Sequence, residues 1–295
     1  MSSSDFRGFF TLLRPRQWTK NAVCLAGAFF GGRILTPFAF RACLAAAAFC
    51  AISGFVYIIN DILDRDRDRD HPIKKNRPIA SGQVAIPQAL LFAGMVLAVA
   101  LAIGAYLGPC ILTILGCYAV LNIAYSAFLK ELSLVDATVI AIGFILRVYA
   151  GTVAVHVTPS AWILLCTFFL SLFLAFGKRR AELNAAGSPV IATRGVLHKY
   201  SVTMLDRFCN ICATLSIAAY ALFTLLGHPN DRSLIITTLP VVLGIFRYLL
   251  LVERCQEGEA PDTILLKDWA IQLAILLWII LYAAVFYGGL HIDVQ

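Results

Sequence analysis

Long, almost uncharged apolar segments recur from one end of the chain to the other. A transmembrane helix needs about 20 apolar residues to cross the ~30 Å hydrocarbon core of a bilayer. Nine segments come close to that length: 21–38, 41–59, 86–107, 110–128, 134–154, 160–176, 210–227, 233–251 and 269–288. Because 60% of the 295 residues are hydrophobic and only 14% are charged, a single water-soluble core could not bury this much apolar surface. The sequence therefore predicts an all-α, multi-pass membrane protein with nine transmembrane helices in one domain, residues 1–295.

The distribution of lysine and arginine predicts the orientation of these helices. Cytoplasmic loops of membrane proteins are enriched in both residues. With nine crossings, most of the 24 lysines and arginines fall on the side that holds the N-terminus, and only Arg33, Arg41 and Arg232 fall on the other. We therefore expect the N-terminus in the cytoplasm and the C-terminus on the opposite side of the cytoplasmic membrane.

Two long charged segments on the cytoplasmic side, residues 60–85 and 177–209, are predicted to cap the helices. They occupy equivalent places in spans 1–4 and 5–8, which is a hint of internal duplication. This hint rests on loop position and charge alone.

The first cap segment places acidic residues directly after an apolar stretch, in NDILDRDRDRD. If the second helix continues past residue 59, Asp61, Asp64 and Asp68 share one of its faces, since they follow one another at helical spacing. Three carboxylates on one face repel each other unless a cation lies between them. Mg²⁺ prefers oxygen ligands and keeps coordination positions for phosphate oxygens. The spacing therefore favours a catalytic magnesium–diphosphate site at these aspartates, with Asn60 assisting.

The other charges of this segment have separate interpretations. Asp66 and Asp70 alternate with arginines, which is typical of a solvated, salt-bridged face. Basic residues follow in HPIKKNRP, where Arg77 can bind phosphate through two parallel hydrogen bonds and Lys74 can bind it as a point charge.

The pattern Asn60-Asp61-x-x-Asp64-x-x-x-Asp68, followed by Lys-x-x-Arg-Pro, resembles the first aspartate motif of the UbiA superfamily of intramembrane prenyltransferases. The resemblance extends over essentially the whole chain. It implies a bundle of nine transmembrane helices with an active-site cavity that opens to the cytoplasm. It also implies that Mg²⁺ activates a diphosphate leaving group.

Three further segments are similar to the decaprenyl-phosphate phosphoribosyltransferase branch of that superfamily: LRPRQWTKN (13–21), YSAFLKELSLVDATVIAIGFILRVYAG (125–151) and GKRRAEL (177–183). The second acidic motif of most superfamily members is missing, because Glu182 is the only acid between residue 177 and Asp206. The resemblance implies phosphoribosyl diphosphate as donor and polyprenyl phosphate as acceptor. Membrane lipid is the surrounding partner, no nucleic-acid partner is expected, and a homo-oligomer is left open.

Substrates with several phosphates need many cations and hydrogen-bond donors on the cytoplasmic side. The substrate-binding candidates there are Lys20, Asn60, Lys74, Arg77, Tyr125, Lys130, Lys178, Arg179 and Glu182. Arg14 and Arg16 flank Pro15 just ahead of Trp18. The pattern leaves open whether these two arginines bind substrate or lipid headgroups.

The fifth apolar segment contains two ionisable residues, Asp136 and Arg147. On a helix they share a face and lie about 16 Å apart along the axis. Such residues inside a span usually face a cavity or a partner. We expect Asp136, near the cytoplasmic end, to be catalytic, either by orienting ribose hydroxyls or by assisting the metal. Arg147 lies deeper and is a candidate for substrate binding or for a structural ion pair.

Two other functions remain as alternatives. One is a prenyltransferase of the same fold that moves a prenyl group from an allylic diphosphate to an aromatic or lipid acceptor. The other is a transporter or channel with the aspartates as an ion-binding vestibule. The charges argue against transport, because they lie in cytoplasmic segments rather than near the bilayer midplane, where transport sites are found.

Overall fold

A computed structural model describes residues 3–72, 74–185, 195–227, 232–254, 264 and 267–290. Within these ranges the chain forms helices joined by turns and contains no strand, which confirms the all-α prediction. The α-helices are Ser3–Leu12, Ala26–Phe30, Phe38–Leu63, Arg65–Arg69, Ile86–Leu107, Pro109–Ala127, Val135–Ala154, Ala161–Ala185, Val202–Leu226, Thr238–Arg254 and Trp269–Phe286. Short 3₁₀ helices cover Pro15–Leu25, Lys74–Asn76, Leu129–Glu131, Gly195–Lys199 and Arg232–Thr237.

Eight helices of the described chain are long and apolar enough to cross a membrane, so the predicted count of nine is not confirmed. The difference lies in the first predicted span, residues 21–38. This part of the chain is a 3₁₀ helix up to Leu25 and a short α-helix from Ala26 to Phe30. A left-handed Gly32 and the turn before Pro37 then interrupt it. Opposite sides for the two termini depend on nine crossings and stay a prediction.

Two of the predicted helices are longer than expected. The second continues past residue 59 to Leu63 and carries Asp61 with it. The sixth runs through the GKRRAEL segment to Ala185, so Lys178, Arg179 and Glu182 lie on a helix and not in a loop. This corrects the predicted cap segment 177–209, of which residues 186–194 lie outside the described residues.

The contacts of the chain divide it into two compact units. The first unit comprises residues 1–127 and 146–158, and the second comprises residues 128–145 and 159–295. The helix Val135–Ala154 contributes residues to both. A single domain and an internal duplication stay predictions.

The helix Phe38–Leu63 is the centre of the first unit. It packs against Ile86–Leu107, Pro109–Ala127 and the 3₁₀ helix Pro15–Leu25, and Ala45, Ala48 and Phe49 on it are fully buried. Small residues on a helix face allow neighbouring backbones to approach closely, which stabilises helix packing in lipid.

Arg41 joins three segments of the first unit near the start of this helix. Its guanidinium donates hydrogen bonds to the carbonyl oxygens of Leu107 at 3.0 Å and Ala154 at 2.7 Å. Both carbonyls lie at helix C-termini, where a cation satisfies exposed acceptors and interacts favourably with the helix dipole. Arg41 is therefore a structural residue of this unit.

The second unit has its core between the helices Ala161–Ala185, Val202–Leu226 and Thr238–Arg254. The rings of Phe173 and Tyr248 pack edge-to-face with centroids 5.0 Å apart. Leu205 and Cys209 complete the same buried cluster. This core supports the helix that carries Arg179 and Glu182.

Two glycines of the first unit lie where the backbones of two segments are in direct contact. A Cβ atom on Gly151 would lie 1.8 Å from the carbonyl oxygen of Cys24, and one on Gly27 would lie 2.4 Å from the backbone nitrogen of Thr152. Only glycine fits at either position, because the neighbouring atoms belong to the backbone and cannot move aside.

We predict that Gly151→Ala lowers the free energy of unfolding by about 1–3 kcal/mol, the usual cost of forcing an extra methyl group into a packed core. Gly116→Ala is the matched control, since a Cβ there meets no atom within 4 Å and alanine favours the helix. Thermal unfolding in detergent measures both variants. Equal melting temperatures for the two variants would contradict the close approach.

Candidate active site

Two buried aspartates of the first unit converge on one cation. Asp61 and Asp68 are each only 3% exposed. The NH1 atom of Arg77 donates to Oδ1 of Asp61 at 3.0 Å and to Oδ2 of Asp68 at 2.6 Å. Because buried carboxylates are costly unless they are paired, this guanidinium offsets part of the cost of burying both acids. We call Asp61, Asp68, Arg77 and Arg14, described next, the carboxylate–arginine cluster.

Arg14 is the second cation of the cluster and comes from the N-terminal part of the chain. Its NH2 atom donates to Oδ1 of Asp61, and its guanidinium lies 4.8 Å from the ring centroid of Tyr57. The backbone of Arg14 is left-handed, with φ 49° and ψ 62°. That conformation is strained for a residue with a Cβ and is further restricted before Pro15. The sequence left the role of Arg14 open, since nothing in its spacing relates it to an acid 47 positions away.

The acids reach the cluster through a broken helix rather than the continuous one expected from their spacing. The helix Phe38–Leu63 ends at Asp64, which has φ −88° and ψ 3°, and a short helix Arg65–Arg69 follows. Hydrogen bonds from the Asp64 N–H to Asn60 and from the Asp68 N–H to Asp64 preserve helical geometry across the break. Asp61 and Asp68 therefore share a side as predicted, while Asp64 lies half-buried at the junction.

The predicted solvated face is confirmed. Asp66 and Asp70 are both exposed. Arg69 forms an ion pair with Asp66 at 3.7 Å and donates to the carbonyl oxygen of Ala80. These groups are exposed whereas Asp61 and Asp68 are buried, so the two sets of acids lie in different environments.

The remaining candidates of the first unit come from several of its segments. Lys74 is exposed at the start of the 3₁₀ helix Lys74–Asn76. Lys20, Asn60 and Tyr125 are half-buried. Their contacts with substrate stay predictions.

Arg147 is buried in the first unit among neutral polar and aromatic groups. Its Nε donates to Oδ1 of Asn21 at 2.7 Å and its NH2 donates to the hydroxyl of Tyr118 at 2.9 Å. The rings of Tyr118 and Phe49 lie 4.8 Å and 5.5 Å from the guanidinium carbon. Cation–π contacts stabilise a desolvated guanidinium, so the described contacts support a structural role within this unit.

A separate polar cluster lies in the second unit around Asp136, which is completely buried. Its Oδ2 accepts a hydrogen bond from Nε of Arg179 at 2.8 Å, and its Oδ1 accepts one from the hydroxyl of Tyr200 at 3.2 Å. Arg179 also donates from NH1 to Glu182 at 3.1 Å. Arg179 is only 1% exposed. Asp136 and Arg179 thus form an ion pair with each other. Direct contact of either residue with substrate stays a prediction.

Tyr200 is a member of this cluster that sequence reasoning missed. Its hydroxyl accepts a hydrogen bond from the backbone N–H of Leu134 at 2.6 Å while donating to Asp136. Leu134 has a left-handed backbone with φ 68°. Burial raises the pKa of Tyr200 to about 12, so the phenol keeps its proton and remains a donor at neutral pH. No sequence signal relates Tyr200 to a helix start 66 positions earlier.

The other basic candidates of the second unit lie nearby in sequence. Lys130 belongs to the 3₁₀ helix Leu129–Glu131 and is half-buried, as is Lys178. Arg180, which was not a candidate, pairs with Asp206 and donates to the carbonyl oxygen of Val252 at 2.6 Å. Arg180 therefore ties three helices of this unit together.

The three-carboxylate magnesium site stays a prediction. Within the described ranges, no group of three His, Cys, Asp or Glu side chains could hold a metal ion. The structure brings Asp61 and Asp68 to one point, and the participation of Asp64 stays a prediction.

Comparison with known proteins identifies the family of the chain. A match to the UbiA prenyltransferase family extends over residues 21–266, which is most of the chain. The chain belongs to the UbiA prenyltransferase family. The resemblance read from the aspartate motif is thereby confirmed, and so is the prediction of a transferase.

Two relatives of this UbiA chain carry the same name. The decaprenyl-phosphate phosphoribosyltransferase of Corynebacterium glutamicum is 33% identical over 287 residues, which cover 92% of this chain and 84% of that protein. The decaprenyl-phosphate phosphoribosyltransferase of Mycolicibacterium smegmatis is 32% identical over 295 residues, which cover 95% of this chain and 92% of that protein. A solved UbiA homologue from Archaeoglobus fulgidus, bound to DMAPP and Mg²⁺, has the same fold. Its TM-score is 0.73 at 20% identity, with 95% of this chain and 99% of that chain covered.

We predict that Tyr200→Phe destabilises this UbiA chain by about 1–3 kcal/mol, the cost of leaving a buried polar group unsatisfied. The substitution removes the acceptor of the Leu134 N–H and a donor to Asp136. Thermal unfolding in detergent measures the loss. Tyr106→Phe is the control, since Tyr106 is 67% exposed, and we expect it to be neutral. A neutral Tyr200→Phe would show that the hydroxyl contributes nothing to this cluster.

Proposed function

We propose that this protein transfers a 5-phosphoribosyl group from phosphoribosyl diphosphate to a polyprenyl phosphate of the decaprenyl type. The observation that carries the proposal is its relationship to two decaprenyl-phosphate phosphoribosyltransferases over more than nine-tenths of the chain. In this reaction the bond from ribose C1 to the diphosphate oxygen breaks. A new bond forms between C1 and a phosphate oxygen of the lipid, and diphosphate leaves.

The carboxylate–arginine cluster fits a metal–diphosphate site. Asp61 and Asp68 direct oxygen atoms at one positively charged nitrogen, and oxygen atoms are the ligands that Mg²⁺ prefers. Asp61 and Asp68 would hold the ion, with Asp64 and Asn60 next to them in the motif. When bound, Mg²⁺ supplies positive charge to the leaving diphosphate. A solved UbiA homologue contains Mg²⁺ together with DMAPP, which supports this assignment.

The basic residues of the first cap segment complete the proposed chemistry at this site. Arg77 and Lys74 would stabilise negative charge as it grows on the departing diphosphate, which is the dominant contribution in transfers of this kind. The acceptor needs no general base, because a phosphate monoester is already an anion at neutral pH. The acceptor's isoprenoid chain would lie against the apolar helices. We therefore propose that the reaction takes place at the membrane surface, on the cytoplasmic side that the lysine and arginine distribution predicts.

The acidic residues of the second cap segment favour this reaction over transfer of an allylic prenyl group. Glu182 and Asp206 are the only acids between residues 177 and 209. Each accepts from an arginine, Glu182 from Arg179 and Asp206 from Arg180. These two acids are 24 positions apart in the sequence, so the segment has no second pair of closely spaced acids like the first aspartate motif. We therefore propose that this segment contacts phosphate groups, while prenyl transfer to an aromatic or lipid acceptor is the second candidate.

A two-substrate assay tests the proposal. We expect purified protein in liposomes to transfer label from ribose-labelled phosphoribosyl diphosphate into polyprenyl phosphate when Mg²⁺ is present. Chelation of Mg²⁺ should abolish the transfer. Consumption of an allylic diphosphate with no label in lipid would contradict the proposed donor.

We predict that Asp68→Asn lowers the rate of this transfer by about 100-fold or more, in the range found when a group that stabilises transition-state charge is removed. Asp66→Asn is the matched control, because Asp66 carries the same charge on the exposed face of the same short helix. The control should retain nearly all activity. Equal losses in both variants would indicate an effect of net charge and would remove Asp68 from the site.

A further inference from the structure

The charges of the carboxylate–arginine cluster balance one for one. Asp61 accepts from Arg14 and Arg77, and Asp68 accepts from Arg77. Two buried carboxylates close together repel each other, and each would be costly to bury alone. The two guanidinium groups therefore have the electrostatic function that a single divalent cation would have at the same position.

The carboxylates of the cluster are more deeply buried than its guanidinium groups. The side chains of Asp61 and Asp68 are 4% exposed, whereas those of Arg14 and Arg77 are 28% and 26% exposed. The carboxylates are fixed by the long helix and by the short helix that follows it. The arginines reach them from outside, so a guanidinium can withdraw toward solvent without moving an acid.

Arg14 has a second partner within reach. Its guanidinium lies over the ring of Tyr57, and a cation–π contact at a partly exposed site contributes about 0.5–1 kcal/mol. This contact keeps Arg14 next to the cluster even when Asp61 has another counter-ion. Arg77 stays nearby because its own backbone is tied into the turn by hydrogen bonds from its N–H to Lys74 and from the Ser81 N–H to it.

We propose that Arg77 and Arg14 are tethered counter-ions that a divalent cation displaces from Asp61 and Asp68 and that a diphosphate then binds. This inference rests on the proposed function, since it takes the cluster to be the metal–diphosphate site. Without diphosphate, Arg77 competes with the cation for both carboxylates. With diphosphate, the guanidinium groups gain new anionic partners, so that cation and diphosphate each increase the affinity of the other, as linkage requires.

The inference predicts that removal of an arginine strengthens binding of the cation alone. We expect Arg77→Gln to bind Mn²⁺, a spectroscopic substitute for Mg²⁺, about 10-fold more tightly than the wild type, within the usual range of coupling between sites. We also expect inorganic diphosphate to increase the Mn²⁺ affinity of this variant less than that of the wild type. Electron paramagnetic resonance of free and protein-bound Mn²⁺, with the full chain in detergent, measures both quantities.

Two further variants serve as controls. Arg67→Gln removes the same charge from the same segment, but Arg67 lies on the exposed side of the helix Arg65–Arg69, so its Mn²⁺ affinity should remain close to that of the wild type. Arg77→Lys keeps a cation at the position and should restore weak binding of Mn²⁺ alone. If Arg77→Gln fails to fold, Arg14→Gln provides the same comparison, with a smaller increase expected because Arg14 contacts only Asp61 of the two acids.

The outcomes separate the inference from the proposed function. Mn²⁺ binding that is unchanged or weaker in Arg77→Gln, or equally strengthened in Arg67→Gln, would overturn the exchange of counter-ions and leave the metal site intact. Mn²⁺ binding that does not respond to Asp68→Asn in the presence of diphosphate would overturn the metal site itself. Tighter binding in Arg77→Gln alone, with reduced enhancement by diphosphate, supports the exchange.

Discussion

The guanidinium of Arg77 bridges two buried carboxylates, one at the end of a hydrophobic helix and one on the short helix that follows it. The helix Phe38–Leu63 carries Asp61 below the surface, where an unpaired carboxylate would be costly. Arg77 joins Asp61 to Asp68 and so fixes the short helix Arg65–Arg69 and the following turn against the long one. Arg14 binds the same oxygen of Asp61 and so connects the N-terminal part of the chain to the long helix.

The packing of the first unit supports the helix on which Arg77 and Arg14 meet Asp61. The small residues Ala45 and Ala48 let neighbouring helices approach the helix that holds Asp61. Gly151 lets the 3₁₀ segment after Arg14 lie directly on the backbone of another helix, and Gly27 does the same for the short helix that follows. Arg41 satisfies two helix C-termini at the far end of the unit. Because the segment after Arg14 is held so closely, the strained backbone of Arg14 is stabilised on one side by packing and on the other by Asp61.

Periodicity in the sequence predicts the long helices and the shared side of Asp61 and Asp68, since both depend on local spacing. It does not predict the break at Asp64, where the helical hydrogen bonds continue although the helix is interrupted. It also predicts a continuous first span where Gly32 and Pro37 allow turns. Arg14 and Tyr200 could not be assigned, because each reaches its partner across many tens of residues through tertiary packing. The charge of Arg179 predicts substrate binding, which stays a prediction, but it does not predict that the guanidinium donates to Asp136 and Glu182.

The two units use arginine and carboxylate groups in opposite ways. In the first unit the acids are deep and the arginines are partly exposed, so a small cation that replaces a guanidinium leaves the acids in place. In the second unit Arg179 is as deeply buried as Asp136, and its exchange would require the helix and the Tyr200 segment to separate. An ion pair whose arginine is partly exposed can exchange that arginine for another cation. An ion pair whose two members are both buried instead holds the helices that carry them together. Both units contain arginine–carboxylate ion pairs. The burial of the arginine therefore distinguishes the proposed metal–diphosphate site from the cluster around Asp136.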